Sequence, residues 1–240
     1  MIDHDHLIVI GAQRSGSTWL YELLDSHPSI YMSRPKRPEP KYFLNENCSR
    51  VDYIKEVFGD APRNERYFGE KSTSYYEHAH VAERIDTCLP SVKLIVILRN
   101  PVDRAISNYK FSVENGLETR SLKDVFIYEV PPPLFDGDVS VNPFTYLERG
   151  HYAQLLTPFI EKFGNRLFVM VLEEAMGDPA HSGLWDFLQL NPSSDGSMAV
   201  NSTDPMEIQS EVKESLQGYY QPHIDALEKL LGRSLDVWLT

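Results

Sequence analysis

Leu7-Ile8-Val9-Ile10-Gly11-Ala12-Gln13-Arg14-Ser15-Gly16-Ser17-Thr18-Trp19-Leu20 is the stretch that decides the fold. Leu7–Ile10 is a short apolar run ending in glycine, the signature of a parallel strand buried on both faces. From Thr18 to Ser26, Trp19, Leu20, Leu23 and Leu24 recur at helical spacing, which predicts a helix with one face on a sheet. Between them, backbone N–H groups turn inward and the helix N-terminus adds partial positive charge, so the turn suits a tetrahedral anion. Arg14 adds a full charge, and the hydroxyls of Ser15, Ser17 and Thr18 add donors.

The loop has the outline of a nucleotide-triphosphatase phosphate loop, G-x-x-x-x-G-K-[ST], up to its seventh position, where Ser17 stands in place of the lysine. A Mg-dependent nucleotidase needs that lysine on the β- and γ-phosphates, so the pattern points away from ATP or GTP hydrolysis.

Lys93–Leu98 (KLIVIL) is the clearest buried strand, and it runs into Arg99-Asn100-Pro101. A helix is expected to start at Pro101, since proline suits the first helical position. Arg99 then emerges at the carboxyl end of a strand, where ligands of open α/β sheets bind. Ser107 follows eight residues later, about two turns into the helix. Arginine offers phosphate a planar fork and serine a hydroxyl. A salt-bridged arginine and a solvated serine would be the bland alternative.

Leu167–Leu172 (LFVMVL) reads as a third buried strand, with helices over 151–163 and Ala180–Leu190. Glu207–Leu231 reads as helix interrupted near Tyr220-Gln221-Pro222, and Ser193–Asp204 as a polar loop. Residues 114–149, with Pro131-Pro132-Pro133 and Asp136-Gly137-Asp138, form a long excursion of the kind that covers an active site. Strands alternating with helices imply an α/β fold of three layers, P-loop-like, with a central, mainly parallel sheet flanked by helices. No linker divides the 240 residues, so a single domain (1–240) is expected.

A net charge of −12 argues against a polyanion-gripping surface, and no nucleic-acid partner is expected. The opening residues MIDHDHLIVIGA lack a basic segment followed by a long apolar one, and no apolar run approaches about 20 residues. Neither a signal peptide nor a membrane contact is expected, and the location expected is cytoplasmic. Cys48 and Cys88, 40 positions apart, suggest neither a disulfide framework nor a metal site.

With these motifs in view, the chain resembles the sulfotransferases that use 3′-phosphoadenosine 5′-phosphosulfate (PAPS). GAQRSGSTWL resembles their 5′-phosphosulfate loop, which implies donor contacts from Gln13, Arg14, Ser15, Gly16, Ser17, Thr18 and Trp19. Many members carry lysine where this chain has Arg14. Arginine supplies the charge but not a proton, since it stays protonated. VILRNP with Ser107 resembles the family's 3′-phosphate grip by Arg99 and Ser107. Arg37-Pro38-Glu39-Pro40-Lys41-Tyr42-Phe43 resembles, with Pro38 interposed, the K-E-x-x-[FY]-F motif of the glycan-type and bacterial natural-product branch. That match implies Glu39 as general base, with a solvated carboxylate paired to Arg37 or Lys41 as the alternative.

Gly69-Glu70-Lys71-Ser72-Thr73-Ser74-Tyr75 resembles E-K-[ST]-x-x-Y, which implies Lys71 near the sulfuryl group, with Glu70 orienting it. Histidine is the rival base, but His78 and His80 lack the K-x-H context, and His27 before Pro28 reads as closing a helix. The expectation is transfer from PAPS, leaving PAP, to a small-molecule, carrier-bound or glycan hydroxyl or amine, with no metal. The acceptor class stays open between carbohydrate and polyketide or other natural product, and oligomeric state is not legible. A P-loop kinase or nucleotidase, or a non-catalytic nucleotide-binding module, are the alternatives.

Overall fold

The computed structural model describes residues 5–59, 64–137, 139–177, 183–192 and 208–238. The chain forms two compact units, Met1–Arg99 with Pro158–Asn201, and Asn100–Thr157 with Ser202–Thr240.

Among the described residues, the first unit is built on five strands: β1 (Asp5–Gly11), β2 (Ile30–Met32), β3 (Tyr67–Lys71), β4 (Lys93–Leu98) and β5 (Leu167–Val171). They lie in the order β2-β3-β1-β4-β5, and every pairing is parallel. The sheet these strands form is wholly parallel, and Leu7–Ile10 of β1 and Leu94–Leu98 of β4 read as unbroken apolar runs because both faces are covered.

On one face, α1 (Ser17–Asp25) buries Trp19, Leu20, Leu23 and Leu24 against Leu7, Val9, Ile95 and Ile97. On the other, α2 (Arg50–Phe58) brings Tyr53 edge-on to His6 and Phe58 against Phe68. Ser49 caps α2 by accepting from Asp52 N at 3.1 Å. The helix α3 (Ala79–Cys88) buries Val81, Ala82 and Ile85.

The second unit begins with α4 (Pro101–Glu114), with proline at its start as expected and Asn100 capping Val102 N at 3.0 Å. Within the 114–149 excursion a short helix, α5 (Leu122–Phe126), is closed by a capping box between Ser121 and Asp124. The root of the excursion is pinned by buried Glu118, which accepts from Arg120 at 2.6 Å and from Tyr146 Oη at 3.1 Å.

Helix α6 (Tyr152–Phe163) carries the chain from the second unit back to the first. There β5 ends at Val171, so Leu172 is not the last strand residue but opens α7 (Leu172–Gly177). Of the helix expected over Ala180–Leu190, Leu184–Leu188 is helical (α8), and residues 178–182 lie outside the described part. So does the polar stretch expected over Ser193–Asp204.

The final helix, α9 (Ser210–Leu231), corrects one expectation, because it runs unbroken through Pro222. Proline removes one N–H and crowds the carbonyl four residues back, here that of Gly218. Both positions are exposed, so that carbonyl lies on the solvent face, while Val212, Leu216, Tyr220, Ile224 and Leu227 hold the opposite face.

Candidate active site

The loop after β1 is stapled to the neighbouring strand by Ala12 N, which donates to Ile97 O at 2.8 Å. Arg14 and Gly16 both take positive φ, 66° and 86°. For arginine this backbone is uphill by about 1–2 kcal/mol, a strain that packing around the loop must hold in place. Two close approaches explain the glycines. A Cβ on Gly11 would lie 2.4 Å from Tyr76 Cδ1, and one on Gly16 would lie 2.7 Å from Leu172 Cδ1.

The first helical bond of α1 runs from Leu20 N to Gly16 O at 3.0 Å. The N–H groups of Ser17, Thr18 and Trp19 thus belong to the open first turn, where the helix dipole favours an anion. No side chain caps this end. Ser15 is buried, and its Oγ has no hydrogen-bond partner. A buried orphan hydroxyl beside open N–H groups is what an anion site looks like before its ligand arrives, so the loop fits the phosphosulfate implied by its sequence. Trp19 is a partial exception, because its ring lies in the core and leaves only its backbone N–H for a ligand.

At the end of β3, beside β1, lies the second cluster. In register with Val9, Lys71 is 3% exposed, and its Nζ pairs with Oε1 of Glu39, whose side chain is 14% exposed. Thr73 donates its backbone N–H to Glu39 Oε2 at 2.9 Å, and its Oγ1 lies 3.0 Å from both carboxylate oxygens. The structure therefore brings two sequence candidates, Glu39 and Lys71, into one ion pair. It adds Thr73, to which the E-K-[ST]-x-x-Y pattern assigns no role. Its position two residues after the lysine, in E-K-[ST]-x-x-Y, was the available signal.

Glu70 behaves differently from the expectation that it orients Lys71. Successive strand residues face opposite sides of a sheet, and Glu70 pairs in register with Ile8 rather than Val9. It is fully buried and accepts from Ser72 Oγ at 3.1 Å and Tyr75 Oη at 3.2 Å. Burial raises its pKa to about 8, against the lowering effect of those two hydroxyls, and the Glu39 charge adds to the rise.

Arg99 is half-buried just past the end of β4, in the first unit. Ser107 is buried in α4 of the second. Arg34 and Lys36, from the basic stretch before Glu39, pair with Asp25 at 2.6 Å and with Glu22 respectively. His27 takes a structural role, its Nδ1 accepting from Ser29 N at 3.0 Å and its Nε2 bonding Asn191 O at 3.0 Å. His78 and His80 face each other with ring centroids 5.5 Å apart.

A parallel sheet with a glycine-turned loop between its first strand and helix defines a P-loop-like α/β protein. Residues 4–169 match the sulfotransferase domain family, and the chain belongs to that family. A sulfotransferase from Alicyclobacillus acidocaldarius superposes with a TM-score of 0.77 at 24% identity, covering the whole of both chains. The sulfotransferase domain of the curacin biosynthetic pathway gives 0.53 at 15% identity, covering 98% of this chain and 99% of that one.

By sequence, the human bifunctional heparan sulfate N-deacetylase/N-sulfotransferase 3 is 28% identical over 272 residues, 97% of this chain. The membrane-associated sulfotransferase kil1 of Dictyostelium discoideum is 32% identical over 111 residues, 45% of this chain. The chain spans only 31% and 23% of those two proteins.

Proposed function

We propose that this protein transfers the sulfuryl group of PAPS to a hydroxyl or amine of a carbohydrate or natural-product acceptor, with Glu39 as general base. The observation that carries the reading is the contact of Glu39 with Lys71 at the end of β3, the strand beside the anion loop. When bound, PAPS supplies an activated sulfuryl group and PAP is the leaving group. The open N–H groups of residues 17–19, the Ser15 hydroxyl and the Arg14 guanidinium bind the 5′-phosphosulfate. Arg99 takes the 3′-phosphate, and Ser107 is the hydroxyl that the sequence pattern nominates for the same group.

Glu39 removes the acceptor's proton as the new bond to sulfur forms. Its negative charge is spent in that step, so Lys71 loses its partner and its ammonium turns to the charge growing on the bridging oxygen. Thr73 keeps the carboxylate oriented for the transfer. Arg14 stabilises the same leaving oxygen as a fixed charge rather than as an acid. The scheme calls on no metal ion.

The heparan sulfate relatives favour carbohydrate acceptors, and natural-product acceptors join them in the acceptor panel because the motif around Glu39 is shared with that branch. The test is Glu39→Gln, assayed for transfer from PAPS and for PAP binding by calorimetry. Loss of about 10²–10⁴ in rate with unchanged PAP affinity is expected. A full transfer rate removes Glu39 from the chemistry. Preference for ATP with Mg²⁺ over PAP returns the kinase reading, and PAP binding without transfer to any acceptor returns the non-catalytic one.

A further inference from the structure

We infer that Glu70 is a positioning residue for Glu39, acting through two hydroxyl bridges that tie the chain just after Glu39 to the β3 turn. The two bridges are built alike. Lys41 N donates to Ser72 Oγ at 2.9 Å, and Ser72 Oγ bonds Glu70 Oε2 at 3.1 Å. Phe43 N donates to Tyr75 Oη at 3.1 Å, and Tyr75 Oη bonds Glu70 Oε1 at 3.2 Å. Each oxygen of one buried carboxyl thus ends a relay that starts on a backbone N–H two or four residues after Glu39.

The segment so held needs holding. Lys41 sits at a φ of 52°, an unfavourable backbone for lysine, and Glu39 itself lies in a stretch without regular structure. A short 3₁₀ turn over Tyr42–Leu44, with Leu44 N donating to Lys41 O at 3.1 Å, orders the chain only after Lys41, so the side-chain relays anchor that turn to β3 and set where the carboxylate of Glu39 meets Lys71 and Thr73. A buried acid with no ion-pair role of its own is costly, and here it is retained with both oxygens engaged. Its neighbours from other elements are Tyr53 on α2, Tyr75 after β3 and Glu39 itself.

This inference rests on Glu39 being the base, so the experiment separates the two. The variants are Glu70→Leu, which abolishes both bridges, and Glu70→Gln, which keeps them, because an amide donates to one hydroxyl and accepts from the other. Two readouts are taken. One is transfer from ³⁵S-labelled PAPS to octyl glucosaminide, 4-nitrophenol and 3-hydroxyoctanoyl N-acetylcysteamine. The other needs no acceptor: the ¹³C carboxyl resonance of Glu39, assigned by its loss in Glu39→Gln.

Glu70→Leu should shift that resonance and lower kcat by about 10- to 100-fold, the usual effect of a small misplacement. PAP affinity should stay within about threefold, and Glu70→Gln should restore both readouts. In a Glu39→Gln background Glu70→Leu should cost nothing further, because residues acting as a unit are not additive. An unmoved resonance with wild-type kcat in Glu70→Leu overturns the inference, as does an equal rate loss in the Glu39→Gln background. Should Glu70→Leu fail to fold, Ser72→Ala and Tyr75→Phe cut the bridges singly and are judged by the same readouts. A full rate in Glu39→Gln sinks the base assignment alone, and the resonance still decides the role of Glu70.

Discussion

The ammonium of Lys71 and the carboxylate of Glu39, 32 residues apart in sequence, form one ion pair that Thr73 braces through its backbone N–H and its hydroxyl. A pair so little exposed is not a surface ornament, because removing one member leaves a shielded charge without its partner. Lys71→Met should lower the transfer rate by about 10²–10³, the loss typical of one donor aimed at developing charge. No acceptor proton is transferred in the PAP complex, so Lys71 keeps Glu39 as its partner there and PAP affinity should change far less than the rate. Combining Lys71→Met with Glu39→Gln should cost less than the product of the two, read from kcat of the four proteins.

The raised pKa of Glu70 has a consequence for stability that Glu70→Gln isolates. The folded protein holds this proton up to about pH 8, whereas the unfolded chain releases it near the ordinary glutamate value. Between those two pH values the native state binds more protons, so stability falls as pH rises, by about 1 kcal/mol per pH unit. Below the window both states are protonated, and above it both are ionised, so the slope vanishes at either end. Denaturant unfolding of wild type and Glu70→Gln at pH 5, 6, 7 and 8 should show the wild type losing stability relative to the variant across that range. A constant difference would mean that Glu70 is ionised throughout.

Legibility in the sequence followed burial and period. Leu7–Ile10 and Lys93–Leu98 announced themselves because a parallel strand covered on both faces is apolar at every position. The helix α2 did not, because Arg50, Asp52, Lys55 and Glu56 make its solvated face and hide Tyr53, Val57 and Phe58 in a polar-looking stretch. Its start was nonetheless written in Ser49 and Asp52, and that of α5 in Ser121 and Asp124, serine–acid spacings that cap a helix. Strand β2, only three residues long, is too short to show any period. In the candidate site, motif order singled out Glu39 and Lys71, but their contact depends on the turn at Ser72–Ser74 and on the relays from Glu70. Those are tertiary hydrogen bonds, which no local pattern encodes.

Gly16 should tolerate no side chain. A left-handed backbone costs a residue with a Cβ about 1–2 kcal/mol, and the new atom would also press on Leu172 at 2.7 Å. For a chain of this size that cost alone lowers Tm by several degrees, at about 2–4 °C per kcal/mol. Gly16→Ala should therefore melt earlier and lose PAP affinity together, because the same turn aims the open N–H groups of α1. A variant that melts early but binds PAP normally would detach the loop from the donor. Thermal unfolding with and without PAP separates the two effects.

Arg99 gives the sharpest test of which phosphate is held where. Its place just past the end of β4 puts it at the carboxyl edge of the sheet, where open α/β folds receive ligands. A charge-assisted bond to phosphate contributes about 1.5–3 kcal/mol, so Arg99→Ala should weaken PAP binding by about 10- to 150-fold. Adenosine 5′-phosphosulfate lacks the 3′-phosphate and should bind wild type and Arg99→Ala alike, whereas Gly16→Ala should weaken both ligands. Calorimetric titration of the two ligands against the three proteins reads this directly. If Arg99→Ala weakens both ligands equally, the guanidinium serves the sheet edge or the 5′ group, and the 3′-phosphate must be held by other residues.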